Sequence, residues 1–209
     1  MHFSKLKKED LQPVVDKTIK RFAGWRGKLL NYKSRIVLLQ SCIASIPMYL
    51  LSVIKFPKWA IKAINSQMSH FLWSDSVDRK KYHLANWDIV CMKQEFGGLG
   101  IQNLRDSNLC LLASWIRRYH GDSDKIWRKI VDYKYDLSHN IMCAVPRSCS
   151  PFWKGVMWAS SAARIGYRWN LGNGEKIRFW KDVWIGNCSL EVLFWDLFVI
   201  ANEQDHTVA

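Results

Sequence analysis

Apolar residues recur at three-to-four spacing across residues 9–30. Leu11, Val14, Val15, Thr18, Ile19 and Phe22 fall on one side and Lys17, Lys20 and Arg21 on the other. That pattern predicts an amphipathic helix, which Gly24 and Gly27 weaken toward its end. A more apolar helix is predicted over residues 34–54, with Ser34 as its N-cap and Pro47 as a kink. Pro57 opens another, running to Trp73 and carrying Trp59, Ile61, Ile64, Met68, Phe71 and Leu72. The charged stretch Asp75 to Lys81 reads as an exposed loop, and Gly97-Gly98-Leu99-Gly100 as a tight turn.

Helices are further predicted from Leu104 to Tyr119, over residues 123–135 and from Phe152 to Ile165. Asp122 and Asp124 lie at the start of the second of these, where acids cap free N–H groups and favour the helix dipole. Residues 136–152, with Pro146, Pro151 and several serines, read as a linker. Near residues 168–181 the Asn173-Gly174 pair between two apolar-rich runs predicts a short β-hairpin, because both residues tolerate positive φ. The expected fold is therefore mainly α. It has a helical region over residues 1–135, the linker, and a small α+β region over residues 153–209 with a Trp-rich hairpin.

Composition adds two constraints. An apolar fraction of 49% excludes a disordered chain, and twelve tryptophans require a core or a flat partner to cover them. The formal charge of +13 points to an anionic partner. Residues 1–35 hold ten Lys/Arg against three acids, whereas residues 169–209 hold three against six. The polyanion footprint thus belongs to the N-terminal half. Six widely spaced cysteines and a start without an apolar signal core imply free thiols in a reducing intracellular setting, nuclear or cytoplasmic.

Residues 36–54 carry no charge and are long enough to span a bilayer. Gln40, Ser41, Ser45, Pro47 and Ser52 would then sit in hydrocarbon, which favours a buried helix over a membrane anchor. A membrane-associated protein held by this segment remains the alternative function class.

Catalytic chemistry finds little support. Nucleotidyl transfer needs carboxylates placed to hold two metal ions, and the chain contains no Asp-Asp pair. Zinc needs four close Cys or His ligands; there is no Cys-x-x-Cys, and His139, Cys143 and Cys149 match no common spacing. No metal and no cofactor are expected. What remains is a binding surface. Lys20, Arg21, Arg26, Lys28, Lys33 and Arg35 interleave with Phe22, Trp25 and Tyr32, a mixture that supplies cations for phosphate and rings for stacking. A solvated helix face with its rings turned inward accounts for the same residues. Arg178, Trp180 and Lys181 repeat the mixture at the hairpin, where core packing of the ring is the stronger reading.

The ordered string of motifs resembles the region downstream of the polymerase palm in plant non-LTR (LINE-type) retrotransposon reverse transcriptases. It is carried by WRGKLLNYKSRIVLLQSCIASIPMYLLSV from Trp25, HLANWDIVCMKQEFGGLGIQNLRDSN from His83, LLASWIRRY from Leu111, WRKIVDYKY from Trp127 and LGNGEKIRFWKDVWIGNCSL from Leu171. The family's small-Gly-Arg step is Lys33-Ser34-Arg35 here. The resemblance implies a thumb-like helical bundle over about residues 10–75, followed by a connector. It places the palm with its paired aspartates upstream of Met1 and a Cys/His-rich zinc-binding segment after about residue 209. It implies a non-catalytic piece of an RNA-directed DNA polymerase. The expected partners are RNA or an RNA–DNA duplex and, in the parent protein, the polymerase core. A degenerate reading frame without selected function fits the same residues.

Overall fold

The computed structural model describes residues 7–23, 30–43, 47–73, 85–121, 125–135, 149–175 and 177–209. The chain is mainly helical and divides into two units. The first comprises Met1–Leu112 with Ser150–Gly155, the second Ala113–Cys149 with Val156–Ala209.

In the first unit, α1 (Lys8–Ala23) packs along α4 (Lys58–Trp73). Ala60, Ile64, Met68 and Leu72 recur every four residues on α4, so one stripe is wholly buried against Leu11 and Val15 of α1 and the rest of the core. Glu9 and Asp10 in the first turn of α1, and Lys20 and Arg21 in its last, complement the helix dipole.

The apolar stretch after Asn31 departs from a single kinked helix. It is divided into α2 (Tyr32–Leu38), a π-helical turn (Leu39–Ile43) and α3 (Met48–Leu51). Asn31, not Ser34, is the N-cap: its Oδ1 accepts from the Ser34 N–H at 2.8 Å. Ser41 Oγ donates back to the Val37 carbonyl at 2.7 Å, a bond that competes with regular helical geometry, and Pro47 has no N–H to continue the ladder. Among the described residues no helix is long and apolar enough to cross a membrane.

Beyond α4 come α5 (Trp87–Val90), capped by Asn86, and a 3-10 turn (Gln94–Phe96). The glycine turn has the expected form. Gly97 has φ +82°, and a Cβ on Gly98 would lie 2.0 Å from the Met92 carbonyl oxygen. Next is α6 (Leu104–Gly121), whose residues 104–112 belong to this unit; the Asn103 side chain caps it through the Arg105 N–H at 2.9 Å. Asn108, 1% exposed, accepts from the Phe56 N–H at 2.9 Å and donates to the Leu51 and Ile54 carbonyls at 2.6 and 2.8 Å. One side chain thereby closes the turn between α3 and α4.

The second unit holds residues 113–121 of α6, α7 (Ile126–Tyr135) and residues 156–166 of α8 (Pro151–Gly166). Rings bind its elements together. Trp127 of α7 meets Trp115 of α6 edge-on at 5.7 Å, and Trp169 meets His120 at 5.1 Å. Tyr119 Oη donates a short hydrogen bond to Asp132, and Arg128 lies over the Tyr119 ring at 4.6 Å.

The predicted hairpin is absent. Among the described residues there is no strand, and the stretch around residues 168–181 is irregular. Gly174 does take positive φ (+80°), so the turn signal was real, but its flanks bond elsewhere. The Trp169 N–H donates to the Val183 carbonyl at 2.8 Å, while Ile177 and Phe179 exchange bonds with Val208 and His206 of the C-terminal segment. A single antiparallel bridge, Arg178 to Thr207, results. Two short helices, α9 (Leu190–Leu193) and α10 (Trp195–Ile200), complete the unit. The predicted loop Asp75–Lys81, the acids Asp122 and Asp124, and linker residues 136–148 lie outside the described residues, while Pro151 and Phe152 open α8.

Candidate nucleic-acid interface

The candidate cations are distributed by the same periodicity that builds the core. On α1, Leu11, Val15 and Thr18 turn inward and Lys17, Lys20 and Arg21 turn out. The three cations, with Pro13 and Asp16, border an open hollow of about 570 Å³. Asp16 is the acid on this rim, and it accepts from Gln12 Nε2 at 2.9 Å. Lys33 stands exposed in the first turn of α2. Next to it Tyr32 sets its ring 5.7 Å from that of Trp73, and burial raises its phenol above the usual value against the opposing charge of Arg35.

Arg35 does not belong to this surface. It is 4% exposed, and its Nη1 points to the Phe71 and Leu72 carbonyls at 3.5 and 3.4 Å, in the last turn of α4. A cation there satisfies carbonyls left over at the helix end and favours the dipole. A charge placed so deeply cannot reach a phosphate chain. Trp25, Arg26 and Lys28 lie outside the described residues.

The secondary group is held in structural roles. Asp182, 3% exposed, accepts from the Arg178 N–H at 2.9 Å and pairs with Arg178 Nη2 at 3.2 Å, closing a turn. Lys181 Nζ meets Asp205 at 2.6 Å, which holds that carboxyl below its usual range. Trp180 is half-buried, edge-on to Phe179 at 5.0 Å and to Phe198 at 5.8 Å. These contacts match the core-packing reading of the ring.

Little chemistry accompanies the charges. Among the described residues no group of three or more His, Cys, Asp or Glu could hold a metal ion. Cys91 is half-buried, and burial, with the charges of Asp88 and Asp106, pushes its thiol up to about 11, the opposite of what a nucleophile needs. His139 and Cys143 lie outside the described residues. Sequence reasoning missed a gathering of cations at the starts of α4, α6 and α8. Its members are too far apart in the chain for any local pattern to expose them.

The class defined so far is a mainly helical protein with exposed cations on α1 and α2 of its first unit. Comparison with known proteins finds two relatives in Arabidopsis thaliana. One, named "Putative ribonuclease H protein", is 26% identical over 185 residues, covering 87% of this chain and 30% of the relative. The other, named "Uncharacterized mitochondrial protein", is 26% identical over 143 residues, covering 68% of this chain and 93% of the relative. The chain thus spans less than a third of the first relative's length and nearly all of the second's. No family model and no solved structure matches it.

Proposed function

We propose that this chain is a piece of a retrotransposon-derived, reverse transcriptase-like protein of plant non-LTR type: a non-catalytic helical region that binds RNA or an RNA–DNA duplex through its backbone. The observation that carries the reading is the outward row Lys17, Lys20 and Arg21 on α1, with Lys33 exposed on α2. The motif order from Trp25 to Leu190 supports the family, as does similarity to a much longer plant protein named for ribonuclease H. The lack of an Asp-Asp pair in the sequence supports the non-catalytic part.

Phosphate contacts of this kind bind without reading sequence. The K20Q/R21Q chain should therefore bind a labelled RNA–DNA duplex roughly threefold to tenfold more weakly at low salt, by the same factor for unrelated sequences. Fluorescence anisotropy measures this. Wild-type affinity in the variant, or no binding by the wild type at low salt, contradicts the reading.

A further inference from the structure

Lys55, Lys58, Arg105 and Lys154 are scattered through the sequence, yet all four are exposed in the first unit and the charges of the other three act on Lys55. The packing that gathers them is specific. Ile54 and Phe56 are buried on either side of Lys55, so the lysine turns outward between two core anchors. Asn108 of α6 holds that turn through its bonds to Leu51, Ile54 and Phe56, and Arg105 stands three residues before it on the same helix. Lys58 begins α4, three residues beyond Lys55. On α8, Gly155 lets the helix approach so closely that a Cβ there would lie 3.0 Å from the Lys55 backbone nitrogen and 3.2 Å from Leu112. Lys154 is thereby delivered beside the turn.

The arrangement opposes ordinary helix electrostatics. Acids favour a helix N-terminus and cations disfavour it. α1 obeys the rule with Glu9 and Asp10, but α4 and α8 have no acid in their first turns and carry Lys58 and Lys154 there. Arg105 likewise sits in the first turn of α6, where Asp106 is the acid present; the charge of Asp106 also acts on the Cys91 thiol. Partial burial, with the charges of Lys154, Lys58 and Arg105, holds Lys55 below the usual lysine value. Like charges gathered at positive helix ends are a local conflict that an anion would relieve.

We propose that Lys55, Lys58, Arg105 and Lys154 form a second anion site, separate from the row on α1, that takes phosphate groups. Four cations from three chain segments suit several phosphates in succession, whether on a nucleic-acid backbone or in a free polyphosphate. Lys55 and Lys154 are exposed, so K55Q/K154Q should keep a thermal midpoint close to that of the wild type, which serves as the folding control.

The test titrates the full-length chain with inorganic tripolyphosphate by calorimetry and with a labelled single-stranded RNA oligomer by anisotropy. Wild type, K55Q/K154Q and K20Q/R21Q are compared. K55Q/K154Q should bind tripolyphosphate about tenfold more weakly, and the salt slope of its RNA binding should shrink by about 1.4, the share of two single-strand phosphate contacts. A response to both probes assigns the site to a nucleic-acid backbone, and a response to tripolyphosphate alone assigns it to free polyphosphate. If K55Q/K154Q behaves as wild type toward both probes, including binding neither, the site is refuted. RNA binding lost only in K20Q/R21Q, with tripolyphosphate binding unchanged in K55Q/K154Q, would leave the nucleic-acid reading standing and remove this one. Tripolyphosphate binding lost in K55Q/K154Q by a chain that never binds RNA would do the reverse.

Discussion

Arg35 and Lys33 are two residues apart, and their surroundings give them opposite roles. Lys33 meets solvent, while the Arg35 guanidinium is sealed among the core residues at the end of α4. Replacing Arg35 with glutamine should lower stability by roughly 1.5–3 kcal/mol, the usual worth of hydrogen bonds from a charged donor. The folded variant should keep the wild-type affinity for RNA. Denaturant melts followed by anisotropy at a temperature where both chains are folded would separate the effects; a stable R35Q chain with weakened binding would return Arg35 to the surface site. From sequence the two cations look alike, because three-to-four spacing identifies a helix but not how deeply its neighbours cover each face. The anion cluster was hidden for a related reason: Lys55 and Lys58 are close in the chain, but Arg105 and Lys154 join them only through the packing at Asn108 and Gly155.

Among the elements, α6 and α7 are joined in the second unit by a polar contact that carries a pH signature. Burial, then the hydrogen bond to Asp132 and that carboxylate's charge, pushes the Tyr119 phenol up to about 12, with Arg128 opposing. The folded pKa lies above the unfolded value of 10.0, so the stabilisation is fully present below pH 10 and is lost as pH rises toward 12. The thermal midpoint of the wild type should therefore fall over this window more steeply than that of Tyr119→Phe, and phenolate absorbance in the wild type should include a late step absent from the variant. Superimposable curves would show that the contact does not hold α6 to α7.

Long elements were readable and short ones were not. α1, α4, α6 and α8 run for 16 to 18 residues, enough to repeat an apolar stripe several times. α5 and α9 have four residues each and α10 six, too few for a period to register. The 34–54 stretch predicts one helix kinked at Pro47 because its apolarity is continuous, but Ser41 alters backbone bonding before the proline without altering apolarity. The hairpin failed differently. Asn173-Gly174 favours a turn, yet a turn becomes a hairpin only if its flanks pair, and here they bond to Val183, His206 and Val208.

For the whole molecule, the described cations divide between the fold and the surface. Arg35, Arg178 and Lys181 serve the fold; Lys17, Lys20, Arg21 and Lys33 face solvent, as does the cluster around Lys55. The family likeness and the plant relatives concern what kind of protein the chain comes from. The exposed cations support the proposed binding, and counterion release makes that directly measurable. The decisive measurement is the affinity of the full-length chain for an RNA–DNA duplex as a function of salt. Four or more phosphate contacts predict a linear fall of log affinity with log salt, with a slope of about −3 or steeper. A flat dependence, or no binding at the lowest salt, would contradict the account.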